Sequence, residues 1–246
     1  MWEKQKKIRK WAAYHDVWYI QLDIEIPEEC GVEAQKLYDL DYYVTHREFP
    51  DWGSTPLHGW HDDDHPNALE NTNAPVYPDE VTWGWTEAAE HAPVTKLWME
   101  DQKWLEFCHR ARFMLLKPKG VIPLHQDGDG TGKNVFSAMN FAFTQPEDCI
   151  LYRHDTGDHI PFEVGTGFWF DNTVAHTVKN HSQIPRFHFI MHPNRINPDE
   201  YLDLMERSMK KQFGNDILKE VYNNNIKDED IEWNRDIIEF IEEEDD

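Results

Sequence analysis

The chain has 246 residues, of which 13% are aromatic and eleven are tryptophan, so it can form a large folded domain despite 29% charged residues. Its formal net charge of −23 opposes nucleic-acid binding, because lysine and arginine are needed to neutralise the phosphates. No apolar run is long enough for a membrane span or a signal peptide, and three scattered cysteines do not predict a disulfide framework, so a reducing cytoplasm is expected.

The N-terminal part of the chain predicts two helices and two strands. Residues 1–11 are basic and indicate a helix or an arm. Residues 18–25 (WYIQLDIE) alternate as a strand does, and Pro27 ends that strand. The two acidic residues after this proline predict a helix that continues to about Leu40. Residues 41–49 (DYYVTHREF) predict a second strand.

Residues 50–93 form the least regular part of the sequence, rich in proline, aspartate, asparagine, histidine and glycine. This composition predicts long loops, which in compact domains often serve as functional lids. Within it, residues 61–65 (HDDDH) suggest a second metal site, but a solvated acidic loop is the preferred interpretation, because no periodicity positions their side chains. Residues 94–108 have apolar side chains at near-helical spacing and predict an amphipathic helix against a sheet.

From Arg112 onward, short apolar segments alternate with turn residues. The predicted strands are 113–116, 121–125, 135–143, 149–153, 160–164, 167–170, 176–179 and 186–192. This spacing predicts a double-sheet jelly roll of the cupin type, and therefore a mainly β fold with flanking helices. Such a barrel has a mouth that can bind a metal and a small ligand.

The sequence becomes helical again after Pro193. Asn197, followed by a proline and two acidic residues, predicts the start of a helix. A second helix is predicted at residues 217–222, and the acidic C-terminal segment is expected to form a short docked helix with a frayed end. We expect a single domain over residues 1–246, with supporting elements at 1–111, a jelly-roll core at 112–192 and C-terminal helices at 193–246.

Three residues of this core are candidate metal ligands. His125 and Asp127 are two residues apart, so on an extended strand their side chains point to one face, and His176 can join them from a distant strand. Two imidazoles and one carboxylate on one face of an octahedral ion are typical of non-haem Fe(II) oxygenases. An HxD triplet is common by chance, but its combination with a later histidine and with Arg186 ten residues further on is more specific.

Arg186 begins the last predicted strand, and alternation places His188 on the same face. A guanidinium that points into an aromatic-rich barrel needs an anionic partner. A bound dicarboxylate would be such a partner through paired N–H···O bonds, and we prefer it to a structural salt bridge. Asn140 is the polar residue on an apolar face of residues 135–143, and it either completes the carboxylate pocket or satisfies a backbone group.

The segments PKGVIPLHQD, GFWFDNTVAH and NHSQIPRFHF resemble the aspartyl/asparaginyl β-hydroxylase family of Fe(II)/2-oxoglutarate-dependent oxygenases, whose bacterial relatives include hydroxylases of free proline. The resemblance covers about residues 110–192. It implies a double-stranded β-helix core in which three side chains, His125, Asp127 and His176, bind iron. Some members of the family lack the carboxylate ligand, and Asp127 makes this chain similar to those with a complete triad.

The same resemblance implies that Arg186 binds the distal carboxylate of 2-oxoglutarate, with Asn140 and His188 as further co-substrate contacts. The chain would then use Fe(II), 2-oxoglutarate and O₂, release succinate and CO₂, and hydroxylate a free amino acid or a side chain in a peptide or protein. Two alternatives stay open, a cupin-like metal enzyme that does not use 2-oxoglutarate and a non-catalytic binding module.

The sequence does not specify the substrate or the oligomeric state. The candidate substrate contacts are Trp83, Trp85, Arg153 and Trp169. For each of them, a role as a loop anchor or a core residue is the simpler interpretation.

Overall fold

The computed structural model describes residues 2–46, 49–61, 82–127 and 139–231. The helices are α1 (Trp2–Tyr14), α2 (Glu29–Asp39), α3 (Pro93–Glu100), α4 (Pro198–Phe213) and α5 (Ile217–Asn223), with short 3-10 helices at Glu87–His91 and Asp228–Asp230. The strands are β1 (Tyr19–Gln21), β2 (Val44–His46), β3 (Phe49–His61), β4 (Thr82–Trp85), β5 (Leu105–Leu116), β6 (Val121–His125), β7 (Met139–Ala142), β8 (Cys149–Arg153), β9 (Gly167–Phe170), β10 (His176–Asn180) and β11 (Arg186–Ile196). Within the described ranges, no helix has the length and apolar character needed to cross a bilayer.

The strands form two antiparallel sheets. The large sheet has the order β1-β9-β7-β11-β5-β3-β2, with β4 also paired to β3, and the small sheet has the order β6-β10-β8. Met114 of the large sheet lies in one buried cluster with Ile122 and Leu151 of the small sheet, so the two sheets pack face to face. The prediction of a mainly β fold with flanking helices and a double-stranded β-helix (jelly-roll) core is confirmed.

Side-chain alternation on β11 separates two cores. Phe187 and Phe189 lie in the apolar cluster between the large sheet and the helices. Arg186 and His188 point to the opposite face, and Ile190 packs there against the cluster between the sheets. Because successive side chains of a strand point to opposite faces, one strand serves both the helix-covered core and the inter-sheet space, and Arg186 and His188 share one face as predicted.

Several elements match the sequence prediction closely. Strands β6, β8 and β9 have the predicted bounds, and α2 and α5 lie where helices are expected. Asn197 caps α4 as predicted, since its side-chain oxygen accepts hydrogen bonds from the backbone N–H groups of Asp199 and Glu200. The predicted strand at 18–25 is shorter and forms β1.

The prediction of long loops over residues 50–93 is wrong for those residues of the range that the structure describes. Strand β3 extends to residue 61, and β4 and a 3-10 helix lie between 82 and 91. Pro56 and Gly53 are residues that rarely occur inside a sheet, so the sequence pattern does not predict this strand. A register shift between Pro56 and His58 accommodates the proline beside β5. Residues 62–65 of the acidic HDDDH string lie outside the described residues.

The helix predicted over 94–108 is correct only at its start. Helix α3 ends at Glu100, and β5 begins at Leu105, which pairs with Ile196 of β11. Long-range strand pairing therefore overrides the near-helical spacing of the apolar residues.

The strand predicted at 160–164 is absent from the described structure. A single bridge joins His159 to Tyr152, and Pro161 has no N–H group with which to extend it. Residues 135–138 of another predicted strand and the C-terminal segment 232–246 lie outside the described residues.

A buried carboxylate on α2 fixes the start of α3. Glu33 is only 8% exposed. Its oxygens accept hydrogen bonds from Val94 N and Thr95 N, both at 2.8 Å, and from Thr95 Oγ1 at 2.7 Å. These backbone N–H groups belong to the first turn of α3, which has no helical acceptors for them. The negative charge also lies at the positive end of the helix dipole.

We expect Glu33→Gln to destabilise the fold by about 1–3 kcal/mol, because an amide NH₂ group would replace one of the two acceptors of these buried donors. The free energy of unfolding in urea measures the loss. Glu29→Gln, an exposed change on the same helix, serves as the control and should cost less. Equal stability of the two variants would contradict the capping role.

Candidate metal centre

Antiparallel pairing in the small sheet places two histidines side by side. His125 ends β6 and His176 begins β10, and the register pairs them directly, with ring centroids 4.4 Å apart. Both side chains are buried, at 8% and 4% exposure. The two imidazoles predicted to act together are therefore adjacent.

Each imidazole is oriented by a backbone carbonyl two residues earlier in the chain. His125 Nδ1 donates to Pro123 O and His176 Nδ1 donates to Val174 O, each at 2.7 Å. A carbonyl oxygen only accepts, so the proton of each neutral ring resides on Nδ1. The lone pair of Nε2 is then available on both rings, as metal ligation requires.

Asp127 is the second residue after β6 and completes the group. One donor atom from each of His125, Asp127 and His176 lies within 4.8 Å of the others. The Asp127 carboxylate Oδ2 accepts a hydrogen bond of 3.0 Å from Asn172 Nδ2, and Asp127 N donates to Asn172 O at 2.8 Å. The sequence pattern does not single out Asn172, and its position four residues before His176 is the one available signal for this contact.

The surroundings of the histidine pair keep His176 neutral. Burial and the neighbouring His125 lower the pKa of His176 to about 4, although Asp127 opposes the shift. The indole ring of Trp52 lies 6.1 Å from His125, and the ring of Phe170 lies 5.4 Å from His176. The pair therefore has apolar neighbours, and His176 is unprotonated at neutral pH, the state in which histidine binds a metal ion.

Arg186 lies buried in the inter-sheet space. It is 5% exposed, and within the described ranges no carboxylate pairs with it. One of its guanidinium nitrogens donates to His188 Nδ1 at 2.5 Å, and the Phe162 ring lies 6.0 Å from its central carbon. Burial lowers the pKa of Arg186, and the Cys149 thiol beside it partly offsets that shift. A buried cation in such surroundings favours an anionic ligand.

His188 lies between Arg186 and two side-chain amides. Since the guanidinium only donates, His188 Nδ1 accepts from it, and Nε2 donates to Gln145 Oε1 at 2.8 Å. Asn140 Oδ1 lies 2.8 Å from Nδ1. Burial and the adjacent Arg186 hold the pKa of His188 well below its ordinary value. Asn140 and His188 are thus grouped with Arg186, and Gln145 is a member that the sequence does not single out.

Two phenylalanines of strand β9 connect the histidine pair to the group around His188, so both groups border the same space. Phe168 and Phe170 are two residues apart, about 7 Å along one face of the strand. Phe170 lies against His176. Phe168 lies 4.8 Å from Phe162, whose ring is 4.5 Å from that of His188. The two groups therefore lie at neighbouring levels between the sheets.

Those candidate substrate contacts that the structure describes form ion pairs or pack in the core of the fold. Arg153 forms ion pairs with Asp155 at 2.5 Å and with Asp16 at 2.8 Å. Trp169 belongs to the core beneath the helices, and Trp85 packs at the edge of the same core. The side chain of Trp83 lies outside the described residues.

The sequence model of the aspartyl/asparaginyl beta-hydroxylase family matches residues 45–195, more than half of the chain. The chain belongs to this family. Like the family, it is a 2-oxoglutarate-dependent hydroxylase that uses Fe(II), 2-oxoglutarate and O₂. Family membership thus decides against both alternatives left open by the sequence, the cupin-like enzyme and the non-catalytic module. No curated protein sequence matches the chain significantly.

Solved structures similar to this aspartyl/asparaginyl hydroxylase fold include three oxygenases. An oxidoreductase of the 2OG-Fe(II) oxygenase family from Burkholderia pseudomallei is 10% identical, with a TM-score of 0.43 over 76% of this chain and 88% of that chain. A Pseudomonas putida prolyl-4-hydroxylase is 14% identical, with a TM-score of 0.40 over 76% and 99%. A Trichoplax adhaerens prolyl hydroxylase, in complex with a hypoxia inducible factor peptide fragment, is 10% identical, with a TM-score of 0.42 over 81% and 94%.

The donor set fits the iron that this family uses. It offers two imidazole nitrogens and one carboxylate oxygen, and three protein ligands on one side of an octahedral ion leave positions open for other ligands. The buried Arg186 likewise fits a ligand that carries a second carboxylate.

Acid is expected to destabilise the metal-free protein through His188. Its folded-state pKa lies below the ordinary 6.5, so the unfolded chain takes up the proton first as the pH falls. Stability is then lost below about pH 6.5, by up to ~1.4 kcal/mol per pH unit, until the folded-state pKa is reached. His176 adds a similar loss between 6.5 and about 4.

Urea unfolding between about pH 7 and pH 5 measures this slope. His188→Gln should reduce the slope by about one proton's contribution, because glutamine does not titrate. His154→Gln, a change at an exposed position, should keep the wild-type slope. An unchanged slope in His188→Gln would contradict the assignment.

Proposed function

We propose that the chain hydroxylates a free amino acid or an amino-acid side chain in a peptide or protein, with His125, Asp127 and His176 as its iron ligands. The observation that carries this proposal is the convergence of three donors, with both imidazoles turned to offer Nε2, in a member of the hydroxylase family. The net charge of −23 argues against a nucleic-acid substrate.

The three proposed ligands would hold the ion. Their apolar neighbours Trp52 and Phe170 limit the access of water to the histidine pair. When bound, the iron supplies the oxidising chemistry by which 2-oxoglutarate and O₂ give succinate and CO₂ while a substrate C–H bond becomes C–OH.

Arg186 is proposed to bind the distal carboxylate of 2-oxoglutarate. It is a buried cation that lacks a carboxylate partner in the described part of the chain, and a planar guanidinium can donate two parallel hydrogen bonds to a carboxylate. His188 stays neutral and accepts from Arg186, so it orients the guanidinium without adding a second positive charge. Asn140 offers an amide in the same group and is proposed as a further contact.

A reducing, cytoplasmic setting is also proposed. It is supported by the state of two cysteines, since Cys30 and Cys149 are buried and unbridged. Burial raises the pKa of both thiols, so they remain protonated and unreactive at neutral pH.

The iron site is tested by adding Fe(II) and then 2-oxoglutarate to the metal-free protein without oxygen. Chelation of the keto acid by iron should give a weak visible charge-transfer band, and His176→Ala should abolish it by removing a ligand. Loss of the band in His176→Ala while His154→Ala keeps it would support the site. A band that survives in His176→Ala would rule out this ligand set. Succinate release with free amino acids and with short peptides then separates the two substrate classes.

The co-substrate contact is tested with Arg186→Met. Two charge-assisted hydrogen bonds contribute about 3–6 kcal/mol, so the affinity for 2-oxoglutarate should fall more than about 100-fold. Affinity for the metal should stay close to that of the wild type. Arg207→Met, the same change on the exposed face of α4, should leave both affinities unchanged. Undiminished 2-oxoglutarate binding in Arg186→Met would refute the assignment.

A further inference from the structure

Asn172 contacts the proposed ligand Asp127 at two points. Its backbone carbonyl accepts the Asp127 N–H at 2.8 Å, and its side-chain Nδ2 donates to carboxylate Oδ2 at 3.0 Å. The first bond fixes the main chain of Asp127 and the second fixes the plane of its carboxylate. Asn172 is only 7% exposed, whereas Asp127 is exposed, so the buried residue anchors the exposed one.

The segment that carries Asn172 is itself well anchored. Asp171 N donates to Trp18 O at 2.7 Å. The Asp171 carboxylate accepts from Thr173 N at 3.1 Å and from Thr173 Oγ1 at 2.6 Å, which closes a compact turn. The next residue, Val174, provides the carbonyl that orients His176. Residues 171–174 therefore contact two of the three proposed ligands, and none of these anchoring bonds involves the Asn172 amide.

We propose that Asn172 is a positioning residue that makes Asp127 bind the metal through one oxygen. With Oδ2 engaged by the Asn172 amide, Oδ1 is the oxygen that remains for the ion. An octahedral ion with three protein ligand atoms has three positions left, two for the keto acid and one for O₂. A carboxylate that bound through both oxygens would occupy one of those positions. This inference rests on the proposed iron site.

The test compares two variants at Asn172 with a control variant at the neighbouring residue Thr173. Asn172→Ala removes the amide, and Asn172→Asp keeps its shape but has no N–H to donate. Thr173→Ala is the matched control, since it removes a buried polar group from the same turn that does not contact Asp127. All are made in the full chain, and urea unfolding identifies any variant that has lost its fold, in which case the other Asn172 variant decides.

The measurements are the affinity for Co(II), the visible absorption spectrum of bound Co(II), and the affinity of the Co(II) form for 2-oxoglutarate, all without oxygen. The spectrum reports the number and geometry of ligands, which a residue with only a structural role would not change. Residues that orient metal ligands typically account for about 10- to 100-fold in metal affinity or activity.

Both Asn172 variants are expected to show an altered Co(II) spectrum and about 10- to 100-fold weaker binding of 2-oxoglutarate, with Thr173→Ala close to the wild type. Wild-type spectra and affinities in folded Asn172 variants would overturn this inference and leave the iron site intact. If the unsubstituted protein bound no Co(II), the iron site would be overturned, and the inference with it.

Discussion

The register between β6 and β10 is the constraint on which the rest of the site depends. It places His125 opposite His176 at the end of one strand and the start of the next. A slip of either strand by one residue would turn the side chains of that strand to the other face of the small sheet and separate the two histidines, because side chains alternate along a strand. The backbone carbonyls of Pro123 and Val174 then orient the two imidazole rings that this pairing brings together.

In the large sheet, strand β11 contributes one face to the apolar core and the other to the proposed binding site. On β11, Phe187 and Phe189 pack beneath the helices, while Arg186 and His188 point between the sheets. Helix α3 stabilises this arrangement from outside, with Trp98 packed edge-on against Phe189. A buried guanidinium is costly. Burial of the apolar side chains on the opposite face of β11 offsets that cost. The face that carries Arg186 and His188 therefore need not stabilise the fold.

Local patterns predict the elements whose residues alternate without interruption, and the spacing of His125, Asp127 and His176 in the sequence points to the three proposed iron ligands. They fail where long-range pairing decides. Strand β3 contains Pro56, which only a register shift beside β5 accommodates, and residues 105–108 have helical spacing yet pair with β11. Asn172 and Gln145 could not be predicted for the same reason. Each acts on a residue more than forty positions away, and an isolated amide in a sequence carries no sign of its partner.

The metal-free site is arranged in advance of its ion, and this has an energetic consequence. Burial keeps His176 unprotonated, and one donor atom from each of His125, Asp127 and His176 lies within 4.8 Å of the others. An ion that binds only the folded chain stabilises the fold by mass action. Because the proposed ligands come from β6, the second residue after it and β10, that stabilisation acts on the pairing of the small sheet, the same pairing that brings the histidines together.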